Sequence, residues 1–162
     1  MERKAEQTAA AGLAVLRIAT GAVLLHSAWS GLAPASPTGE ELQATVEAAL
    51  PSLSGLLAWW GETVLLENPE ALAPLWRWSL LLVGLALLTG ALTRPMAILG
   101  AVLTAHAWAY GSDALAVHHI LLTVACVVFA VTRAGRILGL DSALDSMLPA
   151  WLTLIPENRR RY

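Results

Sequence analysis

The sequence predicts an all-α protein: an integral membrane four-helix up-down bundle with short amphipathic helices between the first and second spans and an interfacial helix at the C-terminus. Three observations predict it. Of 162 residues, 57% are hydrophobic and only 14% are charged, with a mean hydropathy of +0.62. A soluble domain has about a quarter of its residues charged, and a chain this small needs that cover because so much of its surface stays exposed. Four apolar runs approach the roughly 20 residues that a helix needs to cross the hydrocarbon core. Very short turns join the second run to the third and the third to the fourth, which makes those neighbours antiparallel. Helices also satisfy their own backbone groups where no water is present.

The first run spans about Thr8 to Ala33 and carries one charge, Arg17. Read instead as a cleaved signal peptide, it has Arg3 and Lys4 as a basic start and Ala33-Pro34-Ala35 as an A-x-A site; Arg17 and the length of the run argue against that. The second run starts after Asn68-Pro69, an N-cap followed by Pro at the first helical position, and continues to Thr93. Arg94-Pro95 is a tight break, and the third and shortest run covers about Pro95 to Tyr110. Gly111-Ser112-Asp113 is a turn. The fourth run covers about Ala114 to Thr132 and stops at Arg133-Ala134-Gly135-Arg136. Gly21, Gly84, Gly90 and Gly100 offer points of close helix approach in lipid.

The segment from Pro34 to Asn68 is too patterned to be a linker. Thr38-Gly39-Glu40-Glu41 has the form of a capping box, and Leu42, Val46, Ala49 and Leu50 follow at helical spacing. After Pro51, the residues Leu53, Leu56, Leu57, Trp60 and Val64 share a face at the same period. Both stretches read as short amphipathic helices that lie on the membrane surface or cap the bundle. The tail repeats the pattern with Leu140, Leu144, Met147 and Leu148 on one face and Trp151 at an interface. The whole chain, 1–162, reads as a single transmembrane domain.

Charge is segregated along these elements. Arg3, Lys4, Arg94, Arg133, Arg136 and Arg159-Arg160-Arg161 fall at one end of the bundle. Glu40, Glu41, Glu47, Glu62, Glu67, Glu70 and Asp113 fall at the other, whose long loop has no Lys or Arg. Basic residues mark the cytoplasmic side, so both termini are expected there, in a multi-pass protein of the cell inner (plasma) membrane. The net charge of -2 gives no basic face for nucleic acid. A single cysteine, Cys126, excludes an intrachain disulfide and a CxxC redox pair; lying among Val124, Ala125, Val127 and Val128, it reads as a packing residue.

The polar residues inside the spans are the functional candidates, because ionisable groups are costly in lipid. His26 closes the first run, Arg77 lies near the start of the second, His106 and Tyr110 end the third, and His118 and His119 open the fourth. All fall in the outer half. Converging helices would bring them to one outer-leaflet pocket for an amphipathic ligand such as a quinone, whose carbonyls accept hydrogen bonds from imidazole and guanidinium and whose protons a histidine can carry. The competing reading is an aromatic belt with solvated histidines, Trp and Tyr being the expected residues at membrane interfaces. No metal is expected, since His118 and His119 point about 100° apart on a helix and no ligand spacing is present. No residue is assigned a catalytic role. Arg17, two turns into the first run, reads as a structural anchor that faces the bundle or reaches the inner headgroups.

Three stretches carry a family resemblance: Leu16-Arg17-Ile18-Ala19-Thr20-Gly21, the run from Val83-Gly84-Leu85 through Leu88-Thr89-Gly90-Ala91-Leu92-Thr93-Arg94, and Ala134-Gly135-Arg136-Ile137-Leu138-Gly139-Leu140-Asp141. Over about residues 13–33 and 70–145 the chain resembles the DoxX/DoxD-like family, which includes the small membrane subunit of thiosulfate:quinone oxidoreductase. The resemblance implies the membrane subunit of a quinone-linked redox system, with the lipid bilayer and other membrane or membrane-associated subunits as partners. The chain departs from the family pattern at Leu80, where DoxD-like members often carry an acidic residue, and at Ser30-Gly31-Leu32, where a Lys commonly closes the helix. Those departures favour the alternative, a non-catalytic accessory subunit of a larger membrane complex. A small-molecule carrier is disfavoured because broken helices are missing.

Overall fold

The computed structural model describes residues 2–30, 39–111, 113–132 and 139–141. Among them it contains six α-helices and no strand: α1 (Glu2–Ser30), α2 (Gly39–Ala49), α3 (Leu56–Trp60), α4 (Pro69–Thr89), α5 (Thr93–Tyr110) and α6 (Asp113–Val131). A 3-10 turn, Leu50–Ser52, follows α2, and a π-helical turn, Gly61–Leu65, follows α3. The interfacial helix expected around Leu144, Met147, Leu148 and Trp151 lies outside the described residues, as does Thr38 of the expected capping box.

Among the described residues, two of the four expected spans are long and apolar enough to cross a membrane: Thr8–Trp29 within α1 (22 residues) and α4 (21 residues). Only 28% and 22% of their apolar windows are buried. Most of that hydrocarbon surface therefore points away from the protein, an arrangement that lipid tolerates and water does not. α6 supplies a shorter apolar stretch, Leu115–Val131. α5 opens with Thr93-Arg94-Pro95 and holds Thr104 and His106 in its interior, which lowers its hydropathy.

α1 packs on α4, α4 on α5, α5 on α6, and α6 returns to α1. Small residues set the first contact. A Cβ on Gly21 would lie 2.7 Å from the Leu88 backbone nitrogen and 2.9 Å from the Gly84 carbonyl, and one on Gly84 would lie 2.8 Å from the Leu25 nitrogen. Residues 21 and 25 thus face 88 and 84, so the two helices run antiparallel with their backbones in contact. α5 and α6 are antiparallel as well: the Arg94 guanidinium reaches the Thr132 carbonyl (3.3 Å), and the Thr123 hydroxyl donates to Thr104 Oγ1 (2.8 Å). Between them lies a core of Leu24, Val83, Leu87, Ala97, Leu103, Leu122, Cys126 and Phe129. A second, smaller core joins α2 and the π-turn to the end of α5 through Val46, Leu65 and Tyr110.

The junction between α4 and α5 differs from the sequence expectation. The second span was expected to reach Thr93 and the third to begin at Pro95, but α4 ends at Thr89 and α5 begins at Thr93. Gly90 takes the left-handed conformation (φ 70°), and its N–H and that of Ala91 both return to the Ala86 carbonyl at 2.8 and 3.0 Å. This closes the helix in the manner typical of a glycine stop. Leu92 is also left-handed, with φ 51°, a conformation that costs a non-glycine residue free energy. Segment 139–141 offsets that cost. Leu140 N–H donates to the Thr89 carbonyl (3.1 Å), Asp141 N–H donates to the Gly90 carbonyl (2.8 Å), and Asp141 Oδ2 accepts from Thr93 N–H (3.1 Å). One distant segment therefore caps the end of α4 and the start of α5, satisfying groups that helices cannot satisfy themselves.

The stretch after Pro51 also departs from expectation. It does not form one helix with a shared face, because Gly55 (φ 61°, ψ -130°) turns the chain before Leu56. Leu53 packs into the second core, whereas Leu56, Leu57 and Trp60 are exposed.

The backbone contact at Gly21 predicts a sharp contrast between two glycines. Gly21→Ala forces α1 from α4 and lowers the unfolding midpoint in detergent, by about 1–3 kcal/mol as overpacking commonly costs. Gly12→Ala, with nothing within 4 Å of the added carbon, leaves the midpoint unchanged or raises it, since Ala is the better helix former.

Candidate functional site

His106 and Tyr110 stand one turn apart on α5, so their side chains share a face. Their ring centroids are 4.6 Å apart and tilted by 32°. α4 brings Trp76 to the other side, 5.1 Å from the His106 ring, and α3 ends with Trp60 edge-on at 6.4 Å. The half-buried imidazole of His106 thus sits in a box of three aromatic rings contributed by three helices.

Tyr110 is the fixed wall of this box. It is 5% exposed, and its hydroxyl donates to the Leu57 carbonyl at 2.5 Å. That carbonyl lies in the last turn of a five-residue helix, where acceptors lack intrahelical partners; it also takes the Gly61 N–H. Gly61 is glycine for space: a Cβ there would lie 3.2 Å from Tyr110 Cε1 and 3.1 Å from Leu50 Cδ2. With the phenolic hydrogen committed to the backbone, the donors left in the box are the His106 imidazole and the indole N–H groups of Trp60 and Trp76. The imidazole makes no hydrogen bond among the described residues.

Among the described residues no ring contact joins His26, His118 or His119 to this box. His118 and His119 contact each other, with ring centroids 5.5 Å apart; His118 is exposed and His119 half-buried. Within α6 the His119 carbonyl accepts from Thr123 Oγ1 (2.8 Å), whose one hydrogen is shared between it and Thr104 of α5. His119 Nδ1 is buried without a hydrogen-bond partner among the described residues. Thr104, which meets Thr123, is two residues before His106 and so about 200° around the α5 axis. The Thr104 side of α5 therefore faces α6, and the His106 side faces α4. His26 lines a shallow groove of about 430 Å³ between α1 and α4 with Ala22, Leu25, Trp29, Leu81, Leu85 and Leu88, none of them a histidine. Arg77 is half-buried on α4, next to Trp76 in sequence. Among the described residues no three His, Cys, Asp or Glu side chains cluster as metal ligands.

Two features were not found from the sequence. Trp60 reads there as part of an amphipathic face with Leu53, Leu56, Leu57 and Val64, and the turn at Gly55 brings it to His106 instead. Of the two placements the sequence leaves open for Arg17, the structure shows the one that faces the bundle, fully buried, and what the sequence does not reveal is its neighbours. Its guanidinium lies so close to Gly90 that a Cβ at that position would sit 2.7 Å from Nη1, and the Asp141 carboxylate acts on it electrostatically. The three sequence stretches around Arg17, Gly90 and Asp141 meet in space.

Removing the Tyr110 hydroxyl tests the wall of the box. Tyr110→Phe is expected to lower stability by about 1 kcal/mol, the usual worth of one hydrogen bond, in a detergent unfolding titration. His118→Ala, at an exposed position, is expected to change it by less than about 0.5 kcal/mol.

The family model for DoxX matches residues 12–119, about two thirds of the chain. That span includes Arg17, Gly90, Trp60, Trp76, His106 and Tyr110 and ends before Gly139–Asp141. No curated protein and no solved structure matches the chain. The all-helical fold, the two outward-facing apolar helices and the extent of the match identify the chain as a member of the DoxX family of membrane proteins.

Proposed function

We propose that this protein crosses the plasma membrane four times, through α1, α4, α5 and α6, with both termini cytoplasmic, and serves as the membrane subunit of a quinone-linked redox system. The observation that carries the reading is the His106 box. A quinone headgroup is a planar ring with carbonyl acceptors, and the box supplies aromatic faces from Trp76 and Tyr110 around an imidazole able to donate a hydrogen bond. When bound, a quinone supplies the two-electron chemistry. The residues of this chain hold the ring, exclude water from one side, and offer a proton carrier at His106. The four-span topology is supported by the antiparallel contacts and by apolar side chains exposed on α6, such as Val117 and Leu121. Its orientation rests on the acidic loop and the basic termini.

A second reading is a non-catalytic accessory subunit bound to other membrane proteins. Leu80 favours it: where related proteins often carry an acidic residue, this side chain packs against the apolar core. A titration of a short-chain quinone into the nanodisc-embedded protein, read by tryptophan fluorescence, separates the two. The redox reading predicts saturable quenching that His106→Ala weakens about tenfold or more, a loss of ~1.4 kcal/mol or greater, and that His26→Ala leaves intact. Quenching that does not saturate, or that His106→Ala leaves unchanged, overturns it in favour of the accessory role.

A further inference from the structure

The short helix α3 presents an apolar surface that the protein does not cover. Leu56 is 76% exposed and Trp59 54%, and Leu57 and Trp60 also reach the surface. Residues 56–60 carry no charge, whereas the acidic residues of the loop stand on other elements: Glu40, Glu41 and Glu47 are exposed on α2, Glu62 in the π-turn, and Glu67 beyond it. The two helices of the loop, α2 and α3, thus present opposite chemistries. α2 buries Val46 in the second core and turns its carboxylates outward, while α3 turns only hydrocarbon and indole outward.

The height of α3 is fixed as well. The bond from the Tyr110 hydroxyl to the Leu57 carbonyl places α3 level with the last residue of α5. Trp108, two residues before that end, is 51% exposed, and Trp29, near the same end of α1, is 71% exposed. Exposed tryptophans at helix ends mark the level of the membrane interface. At that level a surface of Leu56, Leu57 and Trp59 continues the outward-facing hydrocarbon of the long helices, and leaving it in water would be costly.

We propose that α3 is inserted in the lipid leaflet at the α2 end of the protein, with acyl chains covering Leu56, Leu57 and Trp59, and that Tyr110 tethers it there so that Trp60 lies over His106. α2, by contrast, stays in water. The bilayer is then the partner of this loop, and the aromatic box is closed by a segment held from two sides, by lipid and by α5. This depends on the placement of α3 and not on what His106 binds.

The test uses the full chain in liposomes with Cys126→Ser, a nitroxide on a cysteine at Leu56 and, in a parallel sample, at Glu47. Both positions are exposed, so the labels leave packing undisturbed. The expected result is a several-fold excess of collisions with oxygen over a water-soluble nickel complex at Leu56, and the reverse at Glu47. Adding Tyr110→Phe is expected to raise the mobility of the Leu56 label while it remains in lipid. Preferential collision with the nickel complex at Leu56 overturns the proposal, because α3 is then in water. Shielding from both reagents overturns it too, because a second copy or another protein then covers the surface. Unchanged mobility with Tyr110→Phe overturns the tether.

Discussion

A fully buried arginine at the junction of three helices is the constraint from which this structure follows. Arg17 lies inside α1, and a charge cannot be held away from water without compensating groups. Those groups are supplied by two other parts of the chain. The C-terminal end of α4, where the helix dipole favours a cation, lies against the guanidinium at Gly90, and Asp141 brings an opposite charge. Asp141 also accepts from Thr93 N–H at the start of α5, while the backbone of Leu140 and Asp141 donates to the end of α4. Charge compensation and helix capping therefore meet in one dipeptide, Leu140-Asp141, with Asp141 performing both. Gly90 is needed twice, for its left-handed turn and for the space beside the guanidinium.

Fixing this end sets the register of the rest. With Arg17 level with Gly90, Gly21 meets Leu88 and Gly84, and the close contact of α1 with α4 follows. The start of α5 is set by the same junction. Because α5 is 18 residues long, His106 then falls opposite Trp76 and Tyr110 falls at the level of the loop. The opposite end has a looser construction, with a small core of its own and one short helix held by a tyrosine hydroxyl. Backbone contact between α1 and α4 at one end thus contrasts with a three-residue buried core and a short helix at the other.

The parts of this arrangement that were legible in the sequence are those that depend on local order. Asn68-Pro69 marked the start of α4, Gly111 marked the end of α5, and the spacing of His106 and Tyr110 put them on one face. The α4–α5 junction was misplaced because Arg94-Pro95 is the stronger local signal, whereas the observed turn depends on Asp141, 48 residues from Thr93 in sequence. That Arg17 faces the bundle was one of two local readings, but its neighbours Gly90 and Asp141 were hidden because they come from remote segments. Trp60 was hidden for a different reason. The apolar spacing from Leu53 to Val64 is helical on paper, and a single glycine at position 55 breaks it in the structure, sending Leu56 outward and Trp60 over His106.

The coupling between Arg17 and Asp141 is measured most directly by a double-mutant cycle in detergent unfolding. Arg17→Met keeps much of the side-chain length without the charge, and Asp141→Asn keeps an acceptor for Thr93 N–H without the carboxylate. If the junction depends on the charge pair, the double variant departs from the sum of the single ones by about 0.5–3 kcal/mol, in the range found for residues in contact. Additivity to within about 0.3–0.5 kcal/mol, as for independent sites, would contradict it.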